Sequence, residues 1–381
     1  MAKRTTTKTP GRKKASKKKA ARKSTRAAAG RGLNLDLLAR LCETPGVPGR
    51  EERVRALIES EVEGLFDSVE TDAMGSLLCT RKARGRGKKD PTRVMLLCHM
   101  DEIGFYVSHI DDKGFIWVDP AGGFDPRNLF SRRVLVCTKN RDYPGVMNPG
   151  GRPIHISAPE ERTKVPAVKE FFVDIGLPAE EVKKRVKVGD FLVMDEPARE
   201  MGDKFVSKAL DNRVACWLGI EAIRELARLG AHSCEVVVAF TTQEEVGLRG
   251  AKTASYAVQP DIGLGIDVTL ACDTPGIPNA EAVTWHGKGF GLHVKDSSFI
   301  ADHELVDQVE ALATKHNIPY QRCILRAGGQ DGAAAQQAAA GAKAVGITVG
   351  TRYIHTVTEM IDKGDLAAAR DVLARFLVEV K

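Results

Sequence analysis

The sequence predicts an α/β protein, with a mixed, mostly parallel sheet flanked by helices and interrupted by a β-rich insertion. Three observations predict it. Four short continuous apolar runs, Val94–Cys98, Val236–Phe240, Ile262–Ile266 and Ala344–Val349, have the length and make-up of strands buried on both faces. Helical patterns such as Arg213–Leu229 and Asp302–His316 separate them, the alternation from which parallel sheets are built. Between about Ile103 and Lys204 the texture changes to strand-like pieces among Gly- and Pro-rich turns, with little helix.

The chain begins with a segment unlike the rest. Residues 1–32 hold 13 Lys or Arg and no Asp or Glu, so the net charge of +7 hides a remainder with 44 basic and 50 acidic residues, a net of −6. No aromatic residue, Leu, Ile or Val occurs before Leu33. Such a segment cannot bury enough apolar surface to offset the entropy of ordering, and a disordered basic tail is expected over 1–32. It resembles in composition the lysine-rich tails of linker histones. Either sequence-independent attraction of residues 3–31 to nucleic-acid phosphates or a solubilising role would suit it.

The body opens with helical spacing at Leu33, Leu35, Leu37, Leu38 and Leu41, stopped by Thr44-Pro45-Gly46-Val47-Pro48-Gly49. A second helix is expected from about Arg50 to Gly64, with Val54, Leu57, Ile58 and Val62 on one face. Strands at Ser68–Thr71 and Ser76–Arg81 lead into a basic loop, Lys82–Lys89. Within the insertion, strands are expected at Phe105–Ile110, Gly114–Val118, Arg133–Thr138 and Asp190–Met194, with helix only near Ala179–Val186. No apolar run is long enough to cross a bilayer, and the basic start has no apolar stretch behind it to act as a secretory signal. Eight cysteines without a CxxC or CxxxC pair suggest reduced thiols, and a cytoplasmic location is expected.

The chemistry gathers where the apolar runs end. Val94–Cys98 leads to His99-Met100-Asp101, Val236–Phe240 to Glu244-Glu245, Ile262–Ile266 to Asp267, and Ala344–Val349 to His355. Ligands of open α/β sheets bind outside the carboxyl ends of the strands. The spacing His-x-Asp alone says little, since His109-Ile110-Asp111 repeats it where nothing else gathers. Consecutive carboxylates at Glu244 and Glu245 repel unless a cation or proton relieves them. Asp211 stands where a helix begins, and an N-cap would suit it equally. A His and carboxylate set without Cys suits Zn, Co or Mn rather than a thiolate structural site. Cys98 points to the opposite face from His99, as a core thiol. Cys272, His286, His293, His303 and His316 fit no ligand pattern, and Arg249 and Lys252 fit a solvated helix face.

Five motifs in one order carry a family resemblance: His99-Met100-Asp101-Glu102-Ile103-Gly104, Ala209-Leu210-Asp211-Asn212-Arg213, Gln243 through Ala251, Asp267-Val268-Thr269 and Arg352-Tyr353-Ile354-His355-Thr356. From about Leu35 to the end, the chain resembles the metallo-aminopeptidases that assemble as tetrahedral dodecamers. These are the deblocking and glutamyl-type enzymes, some of which carry the name endoglucanase. The resemblance implies a zinc-peptidase-like catalytic domain over 33–103 and 204–381 and a β-rich dimerisation domain over 104–203. It implies two divalent ions per subunit, bridged by Asp211, with His99 and Asp267 completing one site and Glu245 and His355 the other. Glu244 would be the general base toward a metal-bridging water, and Asp101 would orient His99. Peptide substrates and a homo-dodecamer built from dimers follow. A related carboxypeptidase or aminoacylase shares a similar metal cradle, and a nucleic-acid-associated protein acting through the tail is the other class. One departure stands out. The family's Gly-Gly-Gly-Thr-Asp-Ala-Gly segment reads Gly328-Gly329-Gln330-Asp331-Gly332-Ala333-Ala334 here, which bears on the shape of the substrate pocket.

Overall fold

The computed structural model describes residues 32–85 and 90–381. The expected disordered tail, its cations at 3–31 and the tip of the basic loop lie outside the described residues. Two helices come first, α1 (Leu35–Glu43) and α2 (Glu52–Glu61), then β1 (Ser68–Thr71), β2 (Leu77–Arg81) and β3 (Arg93–His99). The insertion contributes β4 (Gly104–Ile110), β5 (Ile116–Ala121), β6 (Arg132–Cys137), β7 (Asp142–Pro149), β8 (Phe171–Asp174), α3 (Ala179–Arg185) and β9 (Phe191–Met194). The chain returns through β10 (Arg199–Met201), β11 (Lys204–Ser207), α4 (Leu210–Leu229), β12 (Glu235–Thr241), α5 (Arg249–Val258) and β13 (Ile262–Leu270). It ends with β14 (Phe290–Lys295), α6 (His303–Lys315), β15 (Tyr320–Ile324), α7 (Gly332–Gln337), β16 (Lys343–Arg352), β17 (Glu359–Asp362) and α8 (Lys363–Glu379).

Caps set several of these boundaries. The side chain of Asn34 accepts from Leu37 N–H at the start of α1, Asp302 accepts from Leu305 N–H at α6, and Asp362 accepts from the N–H groups of Gly364 and Asp365 at α8. The main sheet runs β1-β2-β12-β3-β13-β16-β17-β11-β10, and β14 lies against β16 with β15 beyond it. Its centre, β12-β3-β13-β16, is parallel, and the flanking pairs are antiparallel except for β15, which runs parallel to β14. Alternation along β3 explains the layers. Val94, Leu96 and Cys98 face the large core shared with α1, α4, α6 and α8, while Met95 and Leu97 face a smaller one made with Ala251 and Ala254 of α5 and Ala334 and Ala335 of α7. His99 continues the second set. Among the described residues all eight cysteines are buried and free, and no helix is long and apolar enough to cross a membrane.

The insertion is a closed barrel, β4-β5-β8-β7-β6-β9. Phe105, Val107, Val134, Val136, Phe171 and Val173 fill it, together with Val357 from the far end of the chain. The strand expected at 114–118 begins only at Ile116, because the Asp111 carboxylate accepts from Lys113 and Phe115 N–H and holds that stretch in a turn. Helix α2 is shorter than expected at both ends. β13 runs on to Leu270, so Asp267 lies inside a strand rather than at its end; pairing with β16 continues through Leu270 and Thr351.

A buried ion network joins the N-terminal loop to the mouth of the sheet. The Arg213 guanidinium, fully buried, donates to the carbonyls of Leu41, Thr44, Gly46 and Met100 and to Glu102, which also receives Lys208 at 2.7 Å. Replacing Arg213→Met takes the donor from the Leu41, Thr44 and Met100 carbonyls and removes half of the Glu102 pairing, while the Gly46 carbonyl keeps the Glu102 N–H. The expected loss is about 3–5 kcal/mol, the range for breaking a buried ion network, read as a lowered urea midpoint. A loss below about 1 kcal/mol would place it among ordinary substitutions and show the network to be dispensable.

Candidate active site

The mouth of the sheet is where pairing stops. β3 pairs with β12 as far as His99 opposite Thr241, but with β13 only as far as Leu97 opposite Gly265. His99 and Asp267, one dipeptide further on, therefore stand on strands that have parted, both still buried, and the Asn212 amide donates to Asp267 Oδ1 and to the Ile266 carbonyl. Glu244 and Glu245 follow β12 after Gln243, whose backbone is left-handed at φ 56°. Asp211 follows the left-handed Ala209 and has extended dihedrals at the head of α4, where its peptide bond to Asn212 is cis. His355 lies beyond β16 and is itself left-handed, φ 63°. The left-handed backbones of Ala209, Gln243 and His355 are uncommon outside glycine and persist only where the surroundings fix them.

Three buried carboxylates fix these. Asp101 accepts from the N–H groups of Glu244 and Glu245, both at 3.1 Å. Glu51 accepts from Gln243 N–H at 3.0 Å and Gly49 N–H at 2.8 Å. Glu359 accepts from Asp211 N–H at 2.9 Å and His355 N–H at 2.7 Å. The His99 ring meets the main-chain carbonyl of Asp101 through Nδ1 at 3.1 Å, with the Asp101 carboxylate at 3.5 Å.

All the expected site residues converge. Nε2 of His99 lies 3.4 Å from Asp211 Oδ1, 3.7 Å from Glu244 Oε2 and 4.0 Å from Asp267 Oδ1. Nε2 of His355 lies 3.4 Å from Asp211 Oδ2 and 3.6 Å from Glu245 Oε1. One Asp211 carboxylate thus shows each of its oxygens to a different imidazole. Ligand atoms of His99, Asp211 and Glu245 fall within 4.8 Å of one another, as do those of His99, Glu244 and Asp267. Glu245 Oε1 is buried without a hydrogen-bond partner. That orphaned atom, in a set of four carboxylates and two imidazoles, fits divalent cations. By contrast His109 sits exposed on β4 and Asp111 caps its turn, away from the site.

The electrostatics describe a cluster short of positive charge. Burial raises the Glu244 carboxyl well above its usual range, opposed by His99 and reinforced by Asp331, Asp267 and Glu245. Burial and then Asp211 raise Glu245 and Asp267. Burial works against protonated His355, yet Asp211 and Glu245 outweigh it and push the ring up to about 11. His99 is likewise raised well above its usual value, burial being outweighed by Glu244, Asp101 and Asp211.

These side chains open onto a cleft of about 600 Å³, lined also by Gly123 from the barrel and by Gly328 and Gly329. The altered segment is anchored beneath it. Asp331 accepts the Thr241 hydroxyl, and Gln330 lies flat on the sheet where Gly265 and Gly346 leave room; a Cβ on Gly265 would come 1.6 Å from its Oε1. Sequence reasoning missed Glu51, Glu359 and Gly123. Only the closeness of Glu359 to His355 in the chain hinted at one of them.

The sequence profile of the family described as M42 glutamyl aminopeptidase matches residues 75–372. The chain belongs to the M42 peptidase family. An aminopeptidase from the archaeon Desulfurococcus kamchatkensis is 35% identical, with a TM-score of 0.85 over 91% of this chain and 94% of that one. The TET aminopeptidase of the marine sediment archaeon Thaumarchaeota archaeon SCGC AB-539-E09 is 34% identical, with a TM-score of 0.86 over 91% and 96%. The TET1 peptidase of Pyrococcus horikoshii, 29% identical with a TM-score of 0.80 over 91% and 99%, can assemble into a tetrahedron or a large octahedral shell. This M42 peptidase is accordingly a peptide hydrolase of the aminopeptidase kind, and its fold is that of its relatives.

Proposed function

We propose that this M42 peptidase removes N-terminal residues from peptides with the help of two divalent cations, Zn, Co or Mn. Asp211 carries the reading, because its two oxygens face His99 and His355 separately, as a bridging ligand requires. Asp267 stands beside His99 and Glu245 beside His355, completing two sets. When bound, such ions polarise the scissile carbonyl and make water a nucleophile at neutral pH. Glu244 is the general base. Its Oε2 projects into the cleft beside His99, and it takes the proton of the attacking water and returns it to the leaving amine. Asp101 holds the Glu244–Glu245 turn through both backbone N–H groups and, through its own carbonyl, the His99 ring. The family match favours an aminopeptidase over a carboxypeptidase or aminoacylase.

Glu244→Gln should keep both ions and lower kcat by about 10²–10⁴-fold, the usual worth of a general base. Asp211→Asn should lose ions, as measured by metal analysis of the purified variants. Near-normal turnover in the first or full metal content in the second would sink these roles.

Metal uptake should also release protons. His355 holds its proton up to a pH of about 11 in the metal-free cluster, against an ordinary 6.5, so at pH 7 the incoming ion must displace it. Affinity therefore rises with pH from neutrality toward that value. Calorimetric titration in two buffers of different ionisation enthalpy should show at least one proton released per chain at pH 7; equal heats would contradict the assignment.

For the assembly, we propose a homo-dodecamer built from dimers that pair through the barrel; the TET1 relatives, one a dodecamer and one able to form a tetrahedron or a large octahedral shell, support an assembly of this kind. The 13 cations of residues 1–32 would add weak, sequence-independent contact with nucleic acid, multiplied by the number of tails. Sedimentation of the full chain should report a particle of twelve protomers, moving faster with random-sequence DNA at low salt and unchanged by it at high salt. A monomer would exclude the assembly, and indifference to DNA at low salt would leave the tail as a solubiliser.

A further inference from the structure

The Glu359 carboxylate is 2% exposed, and its hydrogen bonds run to backbone rather than to side chains. Oε2 accepts from Asp211 N–H at 2.9 Å and Oε1 from His355 N–H at 2.7 Å. These two residues lie far apart in the chain and approach the cleft from different directions. Glu359 joins them because of strand register. It is the first residue of β17 and sits opposite Ser207, the last residue of β11. The chain leaving Ser207 turns through left-handed Ala209 into Asp211, and the chain entering Glu359 comes from left-handed His355. A single strand pair thus delivers both loops to one carboxylate.

We infer that Glu359 is a positioning residue for the metal centre, fixing the spacing between the bridging Asp211 and His355. This rests on the two-ion reading above. A carboxylate is the side chain the position needs, since two N–H groups face it and both its oxygens accept. Glutamine would present an amide N–H toward one of them, leaving that backbone donor buried and opposed. The strained His355 backbone would then lose the contact that holds it, and its imidazole would drift relative to Asp211. Glu359 touches neither Asp267 nor the His99 ring through any hydrogen bond, so the ion beside His355 and Glu245 should feel the change more than the ion beside His99 and Asp267. Residues that orient ligands in this way change metal affinity by about 10- to 100-fold when replaced.

The test is a calorimetric titration of the full, metal-free chain with Co²⁺, comparing wild type, Glu359→Gln and Glu359→Asp. Wild type should take two ions. Glu359→Gln should weaken one of the two steps by about 10- to 100-fold and leave the other within a few-fold. Its kcat should recover at saturating Co²⁺ with KM unchanged, because substrate does not meet this residue. Glu359→Asp, which retains both acceptor oxygens on a shorter stem, should recover part of the lost affinity; it carries the comparison if the Gln variant does not fold. Equal affinities in wild type and Glu359→Gln would overturn the inference alone. So would an equal loss in both steps accompanied by a lower thermal midpoint of the metal-free chain, the mark of a purely structural role. Uptake of fewer than two ions by wild type would overturn the two-ion reading and this inference with it.

Discussion

Buried carboxylates of like charge repel, and a site that gathers four of them must be held together by something other than their own contacts. Here the restraint comes from backbone N–H groups. Glu51, Asp101 and Glu359 each receive two of them, from Gly49 and Gln243, from Glu244 and Glu245, and from Asp211 and His355. An N–H bonded to a buried carboxyl oxygen is a contact that cannot be exchanged for water without opening the structure. The left-handed residues Ala209, Gln243 and His355 lie beside or within these contacts. Each loop at the mouth of the sheet is therefore set in a costly conformation by a group that is itself outside the cleft.

The sheet supplies the frame in which this can happen. Its four central strands are parallel, so their carboxyl ends open on one side, and β3 and β13 part after Leu97 and Gly265, so that His99 and Asp267 are not paired with each other, although each keeps its outer partner strand. Arg213 secures the frame from behind by tying the carbonyl of Met100 to that of Leu41 near the end of α1 and to those of Thr44 and Gly46 in the loop that follows. The Arg of the Ala209–Arg213 motif is in this sense structural, although the motif was read for its Asp.

What could be read from the sequence follows from where the information lies. The central strands were legible because burial on both faces leaves continuous apolar runs, and His99, Asp211, Glu244, Glu245, Asp267 and His355 were legible because they follow those runs or open a helix. β7 was not, since Pro144 and Pro149 fall within it and proline argues against an interior strand. β10, exposed along its whole length, carries no apolar pattern at all. Glu359 could not be found by pattern, because its role depends on the register of β17 against β11, a contact between residues about 150 apart in the chain. The extent of β13 beyond Asp267 depends in the same way on its pairing with β16.

The barrel interrupts the chain between two of the site's residues, with Asp101 before it and Asp211 after it. An open loop of that length would make the approach of its two ends a matter of chance. β4 and β9, its first and last strands, are paired with each other, Phe105 opposite Leu192 and Tyr106 opposite Phe191. The entropy of closing the connection is settled when the barrel folds, and what remains for the rest of the molecule is the equivalent of a hairpin turn. A large domain can thus be carried at this point of the chain without loosening the distance between the residues on either side of it.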